Sequence, residues 1–289
     1  LTHFGLVPAA LMGVDLDKFL EKAEIVADKC SQSRAIELNL GVLLGLILGL
    51  GEASGKDKLT FIADKVLAPL GAWLEQLVAE SSGKEERGIV PIADEPFVKA
   101  ETYGEDRIFV YLRKTGDHDA FVSDLKEAGQ IVSILDIPDL YNLGAEFYRW
   151  EFAIATACSI MDVNAFDQPD VQDNKDRTKK KLSLFVEDGR LAEPEILWEK
   201  DGIKVYGADF EGISNCEEIV DVIEAFTSLS EDGDYIAINA YLPRNDQNKA
   251  KLNRIREKIL ERSGRATTLG FGPRFLHSTG QLHKGGANN

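Results

Sequence analysis

Glu80 is the acidic residue best placed to act as a base in this sequence. It ends an apolar helical pattern at residues 73–78 and stands before residues 81–83, whose types favour helix ends and turns. A carboxylate in the last turn of a helix faces the negative end of the helix dipole, which favours the uptake of a proton. A solvated surface glutamate followed by a loop would give the same pattern, and this stretch alone favours that simpler interpretation.

Lys175 is a second candidate, because it follows a short polar stretch that contains a proline. Proline is favoured in the first turn of a helix, so we expect Asp167 or Pro169 to begin one and Lys175 to lie in its second turn. A lysine near a helix start is poorly placed for the helix dipole, which makes a role facing a substrate oxygen one explanation. The alternative is a solvated helix, since the basic run 177–181 follows at once.

The C-terminal stretch 272–286 combines residue types that move protons and approach ligands closely. His277 and His283 lie there among hydroxyl side chains, glycines and two cations, and histidine can transfer protons near neutral pH. A mobile tail without a site is the alternative. Of the other histidines, His118 is predicted to begin a helix and His3 to lie in packing or at the surface.

The cysteines give no sign of a metal site. Cys30, Cys158 and Cys216 are far apart and match no metal-binding spacing. An odd number of cysteines with mostly apolar flanks is typical of a reducing compartment, so we expect a cytoplasmic protein. The sequence also contains no P-loop, no Rossmann glycine fingerprint and no Ser-His-Asp order.

The composition favours a folded domain with a small-molecule partner. The 289 residues include 33 Lys and Arg against 49 Asp and Glu, a net charge of −16. This balance disfavours nonspecific binding to nucleic acid or to anionic membranes. An anionic substrate would therefore need a local positive site. The length suits one large α/β domain or two small ones.

A regular alternation of strands and helices is predicted to position these candidates. Strands are predicted at 59–63, 88–92, 107–112 and 131–135, with helices at 68–80, 117–128 and 142–161. The alternation indicates an α/β fold with a mostly parallel sheet flanked by helices on both faces. Ligands in such sheets bind beyond the carboxyl ends of the strands, and we expect Glu80 to reach that edge.

The flanking segments carry further elements. We predict the start of a buried helix within 1–13, an amphipathic helix at 15–30, a buried core helix at 35–50, a loop at 162–174, a short basic helix from 175 and a small β excursion at 182–207. Further helices are predicted at 216–226 and 246–262, and further strands at 235–240 and 266–269. The apolar run within 35–50 is too short to span a membrane.

The stretches at 73–84, 164–175 and 272–286 together resemble glucose-6-phosphate isomerase. The sequence Glu-Ser-Ser-Gly-Lys at 80–84 is similar to the family's Glu-Ser-x-Gly-Lys, in which the glutamate is the base. Phe-Asp-Gln at 166–168, followed by Val171 and Lys175, is similar to the family's Phe-Asp-Gln-x-x-Val-x-x-x-Lys, in which the lysine is catalytic. Their occurrence in this order makes the resemblance specific.

Both ends of the chain extend the resemblance. Residues 1–10 resemble the stretch after the family's Gly-Gly-Arg-Tyr/Phe-Ser signature, and residues 275–286 resemble the isomerase fused behind transaldolase in bifunctional bacterial chains. The resemblance implies a sugar-isomerase (SIS) fold. Residues 1–30 would be a helical linker from an upstream SIS domain, and 31–289 the second SIS domain, cut at its C-terminus. The family's phosphate loops and signature arginine would then lie upstream, and we expect this stretch alone to be inactive.

Two departures from the family pattern affect the remaining assignments. The plain isomerase has Trp-Gly after Phe-Asp-Gln, where this chain has Pro-Asp at 169–170. Its ring-opening histidine lies between the glutamate and the lysine, where this chain offers only His118. The C-terminal stretch echoes that enzyme's His-x-Phe-Tyr-Gln-Leu-Ile-His, so the resemblance gives the role to His277, with His283 next.

The reaction implied by the resemblance is the interconversion of glucose 6-phosphate and fructose 6-phosphate. Glu80 would move a proton between C1 and C2 through a cis-enediolate, and Lys175 with His277 would assist ring opening. The residues implied in substrate binding are Gln168, Ser81, Lys84 and His283. No metal or organic cofactor is expected, because the proton leaves a carbon next to a carbonyl. The expected partner is the sugar phosphate substrate, without nucleic acid or membrane, and a homodimer is left open.

Two functions of other classes compete with this one. The chain could be a non-catalytic SIS module that binds a sugar phosphate and regulates a partner, or a domain that only dimerises. The presence of both Glu80 and Lys175 within their motifs favours the enzyme, because a pure sensor has no use for a base.

Overall fold

The computed structural model describes residues 2–31, 35–191, 194–210 and 212–287, without the side chains of 170–174. The described helices are α1 (His3–Leu11), α2 (Leu16–Lys29), α3 (Leu40–Ala53), α4 (Ala68–Ser82), α5 (Asp119–Glu127), α6 (Leu143–Met161), α7 (Pro169–Asp188), α8 (Ile219–Thr227), α9 (Asp246–Ser263), α10 (Phe275–Ser278) and α11 (Leu282–Gly285). The described strands are β1 (Lys58–Ala63), β2 (Val90–Ile92), β3 (Arg107–Arg113), β4 (Ile131–Asp136), β5 (Ile196–Lys200), β6 (Ile203–Tyr206), β7 (Tyr235–Ala240) and β8 (Ala266–Phe271).

Four parallel strands form the central sheet, in the order β2-β1-β3-β4. Lys58 at the start of β1 pairs with Val90 of β2 and with Arg107 of β3, and Ile108 pairs with Ile131 of β4. Parallel pairing requires each connection to run back past the sheet, and α4 and α5 provide two of these returns. The predicted α/β fold with a mostly parallel sheet is confirmed.

Successive residues of β3 face opposite layers of helices. Val110 and Leu112 belong to an apolar cluster built with α3, α4 and α6, whereas Phe109 and Tyr111 belong to a second cluster built with α5 and α9. Because strand side chains alternate between the two faces, a strand buried on both faces needs apolar residues at nearly every position. The sequence of β3, Arg-Ile-Phe-Val-Tyr-Leu-Arg, meets this requirement.

Helix α3 packs its backbone closely against α6. Gly45 and Gly49 lie one helical turn apart in α3. A Cβ atom at Gly45 would lie 2.6 Å from the carbonyl oxygen of Ala153. Only glycine permits this approach. The buried helix predicted for 35–50 is confirmed from Leu40 onward, while a short 3-10 helix at Ile36–Leu38 precedes it.

Strands β7 and β8 form a second, parallel pair that packs beside β2. The Glu95 carboxylate joins the two sheets, because its Oε1 accepts a hydrogen bond from the Thr267 backbone N–H at 2.7 Å and its Oε2 lies 2.9 Å from Nη1 of Arg107. These three groups are buried. Hydrogen bonds between charged groups in a buried site are stronger than neutral ones, so the C-terminal elements are firmly attached to the central sheet.

The prediction of a buried helix at the N-terminus is wrong. Helix α1 forms within 1–13, but none of its residues is buried, and Phe4 is 93% exposed. Apolar composition shows that a helix gains from burial. Whether a partner surface lies next to it is decided by the arrangement of the other elements.

The predicted loop at 162–174 and the β excursion from 182 are wrong where α7 replaces them. The helix begins at Pro169, runs to Asp188 and ends at Gly189, whose φ is 68°. The antiparallel hairpin of β5 and β6 then occupies only 196–206. Side chains are exposed from 175 to 188. The apolar residues of this helix lie mainly at 182–186, so no apolar stripe along its whole length marks it as a helix in the sequence.

Candidate active site

Glu80 lies in the last turn of α4, at the amino end of the central sheet. Helix α4 leads from the end of β1 to the start of the parallel strand β2, so it runs opposite to both strands. The Val90 N–H donates to the carbonyl oxygen of Asp57, just before β1 begins, at 2.8 Å. The prediction that Glu80 reaches the carboxyl edge of the sheet is therefore wrong. Its half-buried carboxylate accepts a hydrogen bond from Gln76 Nε2 at 3.1 Å.

A tight turn follows Glu80 and reverses the chain into β2. Lys84 and Arg87 exchange two backbone hydrogen bonds of 3.0 Å each across this turn. The residues between them, Glu85 and Glu86, have φ values of 56° and 62°. Such a two-residue turn favours asparagine and glycine, and other residues in the left-handed region cost roughly 1 kcal/mol or more each. Strain of this kind is common at functional sites.

Lys84 joins this turn to the segment before α7. Its ammonium group is buried and donates to the carbonyl oxygen of Asn164. It also lies 3.1 Å from Oδ1 of Asp167. Asn164 in turn orders the segment, since its Oδ1 accepts from the Phe166 N–H at 3.0 Å. The structure thus brings the 80–84 motif and the 166–168 motif together. It gives Lys84 a positioning role, and contact between Lys84 and a substrate stays a prediction.

The C-terminal stretch meets the same turn. Nε2 of Gln281 donates to the carbonyl oxygen of Gly83 at 3.0 Å, and the Glu86 N–H donates to the carbonyl oxygen of Gly285 at 2.9 Å. A Cβ atom at Gly83 would collide with the backbone of Leu282. The alternative of a mobile tail is wrong for residues 272–287, which include two short helices and several buried side chains.

The two candidate histidines of this stretch face different surroundings. His277 is exposed on α10, a helix that Arg274 attaches to α4 through Glu75 Oε1 at 3.0 Å. His283 Nδ1 lies 2.7 Å from the hydroxyl of Tyr235. His283 is exposed in part, yet desolvation by the surrounding chain, with a smaller effect of Lys284, lowers the pKa of His283. Burial raises the pKa of Tyr235 to about 12, so this hydroxyl stays protonated at neutral pH.

Gln168 and Lys175 lie at the start of α7, outside this convergence. Gln168 is the N-cap residue and Lys175 is exposed in the second turn, as predicted. No described contact links the Lys175 ammonium or the His277 ring to Glu80. The other predicted binding residue, Ser81, is half-buried, and its carbonyl oxygen lies 3.5 Å from Sγ of Cys158. The described contacts therefore unite residues 80–84, 164–168 and 281–285.

Several known proteins with similar sequences are named glucose-6-phosphate isomerase. The glucose-6-phosphate isomerase of Methanocaldococcus jannaschii is 26% identical over 212 residues, covering 60% of this chain and 52% of that protein. Those of Exiguobacterium sibiricum and Clostridioides difficile are 27% and 26% identical, covering 67% and 68% of this chain and 51% and 52% of their own lengths. This chain is similar in sequence to glucose-6-phosphate isomerases.

The resemblance to glucose-6-phosphate isomerase that the motifs indicated is confirmed by these relatives. The chain spans about half the length of the relatives it matches. No protein-family model matches it. A crystal structure of a hypothetical protein from Thermus thermophilus aligns at a TM-score of 0.49 and 23% identity, over 62% of this chain and 53% of that one. The fusion to transaldolase stays a prediction.

The glucose-6-phosphate isomerase motifs do not point to the residues that hold the turn in place. Arg87 donates to both carboxylate oxygens of Glu52, at 3.0 and 2.6 Å, and to the carbonyl oxygen of Met161 at 2.6 Å. The Ser82 hydroxyl donates to the Val78 carbonyl oxygen at 2.7 Å and accepts from the Ile89 N–H at 3.0 Å. Ser82 occupies the variable position of the 80–84 motif, and the only sequence signal for Arg87 was its closeness to Lys84.

The described part of the chain holds no evident metal site. No cluster of three or more His, Cys, Asp or Glu side chains suited to a metal ion occurs there.

No described helix combines the length and the apolar character that crossing a membrane requires. The three cysteines are free thiols, and burial raises the pKa of Cys158 to about 11, which makes it a poor nucleophile.

Proposed function

We propose that this chain is part of an aldose–ketose isomerase that interconverts glucose 6-phosphate and fructose 6-phosphate. Glu80 takes the proton from C2 of the open-chain aldose, giving a cis-enediolate, and returns it to C1 to give the ketose. The reverse reaction uses the same proton in the opposite direction. The carbonyl next to the reacting carbon makes this proton acidic enough for a carboxylate base, so the chemistry needs no metal or organic cofactor.

The convergence of three distant stretches on Gly83 and Lys84 is the observation that carries this proposal. Packing alone does not require a buried lysine, a strained turn of two glutamates and a C-terminal segment to meet at one helix end. An active site does require such an arrangement, because catalytic groups need support from groups that are themselves held in place. The named relatives support the isomerase activity as a whole.

Lys175 and His277 are proposed to act before the proton transfer. Sugar phosphates are mainly cyclic, and ring opening requires a proton to move from the C1 hydroxyl to the ring oxygen. A lysine ammonium and an imidazole can share this transfer, and Lys175 can also stabilise the negative charge of the enediolate. Both side chains are exposed, which leaves them accessible to a substrate.

The rest of the substrate site is proposed to come from other parts of the protein. In this proposal, residues 1–30 link a preceding SIS domain to a second SIS domain at 31–289, consistent with a chain that spans half of its relatives. The preceding domain would supply the phosphate loops and an arginine. Gln168, Ser81, Lys84 and His283 are proposed to contact or border the sugar. A homodimer and a cytoplasmic location remain predictions. Light scattering would test the homodimer.

A coupled assay tests the proposal. Fructose 6-phosphate is added to the longest natural polypeptide that contains this chain, and glucose 6-phosphate is detected through its dehydrogenase. We expect turnover in that polypeptide and little or none from residues 1–289 alone. Binding of the sugar phosphate without turnover would contradict the isomerase and favour a regulatory module. A lack of both would favour a domain that only dimerises.

A further inference from the structure

A basic cleft opens at the edge of the sheet opposite Glu80. It lies at the carboxyl ends of β1, β2 and β8 and has a volume of about 620 Å³. Five of its lining side chains are cationic, namely Lys65, Arg244, Lys249, Arg256 and Arg274. In a chain whose net charge is −16, a local excess of positive charge needs an explanation.

The two carboxylates of the cleft offset only part of this charge. Asp94 lies 2.8 Å from the Lys249 ammonium, and Glu75 lies 3.0 Å from the Arg274 guanidinium. Both pairs are partly exposed, so each contributes little on its own. Within the described ranges, the other three cations of the cleft have no carboxylate of their own.

Arg256 is one of these three, and it is fully buried. Its guanidinium donates to the backbone carbonyl oxygens of Asp94 at 2.9 Å and of Thr267 at 2.6 Å. No carboxylate of the described residues forms an ion pair with it. Desolvation lowers the pKa of Arg256, and the more distant carboxylates oppose this effect only in part. A buried cation held by neutral acceptors leaves a positive potential in the cleft.

Lys65 and Arg244 complete the positive surface at the mouth of the cleft. Both are exposed, and neither forms a hydrogen bond or ion pair among the residues that the structure describes. The first turn of α4 lies beside them. Its N-cap residue, Leu67, offers no side-chain acceptor, and the turn contains no acidic residue. The positive end of this helix dipole therefore adds to the field of the cations.

We propose that this cleft binds a small phosphorylated metabolite, with the phosphate held by Lys65 and Arg244. A phosphate monoester suits the site because arginine forks bind two of its oxygens at once and a lysine supplies a mobile point charge. The volume accommodates a ligand of this size. The site is separate from the isomerase proposal, since it lies across the sheet from the Glu80 turn.

Phosphate titrations of the purified protein test this site. Inorganic phosphate and glycerol 3-phosphate are added at constant ionic strength, and the backbone amide signals of 65–72 and 272–274 are followed by NMR. The double variant Lys65→Ser/Arg244→Ser should weaken binding roughly tenfold, as expected for the loss of two partly exposed contacts. Both side chains are exposed, so the fold should persist. The control Lys180→Ser/Lys181→Ser removes the same charge from α7 and should bind like the parent.

A variant with the opposite effect strengthens the test. Asp94 has φ 52°, a conformation that asparagine tolerates well. Asp94→Asn keeps the backbone, removes a negative charge and releases Lys249, so binding should tighten roughly threefold. Equal affinity in all variants, or signal changes away from the cleft, would overturn the site. If inorganic phosphate bound as tightly as the ester, the proposal that the ligand is a phosphorylated metabolite would be overturned.

Discussion

The ammonium group of Lys84 lies 3.1 Å from a carboxylate oxygen of Asp167. The two residues belong to separate motifs, one at the end of α4 and one before α7. Lys84 is buried, whereas the Asp167 side chain is 52% exposed. The pair therefore joins an exposed side chain to a buried one, and the 164–168 segment is held at the candidate site through this contact.

Lys84→Met should loosen the 164–168 segment and destabilise the protein. Methionine is also unbranched, though one atom shorter, and it removes the donor to the Asn164 carbonyl and the positive charge beside the Asp167 carboxylate. We expect the free energy of unfolding to fall by roughly 1–3 kcal/mol, with faster amide hydrogen exchange at 164–168. The control Lys180→Met, on an exposed face of α7, should change stability by less than about 0.5 kcal/mol. Similar unfolding free energies for both variants would show that Lys84 does not hold the 164–168 segment in place.

Glu80→Gln should abolish most of the isomerase activity in the longest natural polypeptide. Glutamine is nearly the same size but cannot accept a proton from carbon, and loss of a general base costs about 10²–10⁴-fold in rate. The matched control is Glu85→Gln, which neutralises an exposed carboxylate on the neighbouring turn. Near-parental turnover for Glu80→Gln would remove Glu80 from the role of base.

Lys175→Ala should lower turnover with fructose 6-phosphate by at least about tenfold, or roughly 1.4 kcal/mol of transition-state stabilisation. An ammonium group aimed at substrate oxygens cannot be replaced by neighbouring charges. The controls Lys179→Ala, Lys180→Ala and Lys181→Ala should therefore keep their activity. Small and equal losses in all four would indicate a diffuse electrostatic effect and no catalytic lysine.

Gly83→Ala should displace α11 from the end of α4. The added methyl group would lie 2.8 Å from the Ala79 carbonyl oxygen and would also meet the backbone of Leu282, and backbone cannot give way as a flexible side chain does. Overpacking of this kind costs about 1–3 kcal/mol, measured by chemical denaturation. Gly71→Ala in the same helix is the control, since its nearest contact would be an ordinary 3.4 Å. Equal stability of the two variants would contradict the close approach.

Asp64→Asn should alter the response of the protein to acid. The Asp64 carboxylate accepts from the Tyr111 hydroxyl and the Thr115 N–H, both at 2.6 Å, and from the Gly116 N–H at 2.9 Å. Burial alone would raise the pKa of this carboxyl, but the hydrogen bonds outweigh it and hold the pKa well below its usual range.

The contribution of Asp64 to stability is thus present at neutral pH and is lost as the pH falls below about 4, the usual value for an unfolded chain. We expect Asp64→Asn to lose roughly 1–3 kcal/mol at pH 7 and to show a shallower decline in unfolding free energy below about pH 4. Asp188→Asn, at the exposed end of α7, should follow the parental pH curve. A parental curve for Asp64→Asn would contradict the assignment.

Local and periodic features of the sequence were sufficient for most of the fold. The strand patterns at 107–112 and 235–240 and the helix at 68–80 are found close to their predicted limits, because a strand buried on both faces and an amphipathic helix need particular residue types at fixed intervals. Helix α7 was predicted only as a short basic helix from 175, because its first part is polar and its apolar residues lie mainly at 182–186.

The sequence by itself determined the parallel α/β fold and the motif around Glu80, whereas only the tertiary structure decided where that motif lies. A helix that joins two parallel strands must return to their amino ends, so Glu80 is held away from the carboxyl edge. The contacts of Lys84 with Asp167 and of Gly83 with Gln281 join parts of the chain with no shared periodicity. Such contacts depend on the packing of all the elements at once, and no local pattern in the sequence encodes them.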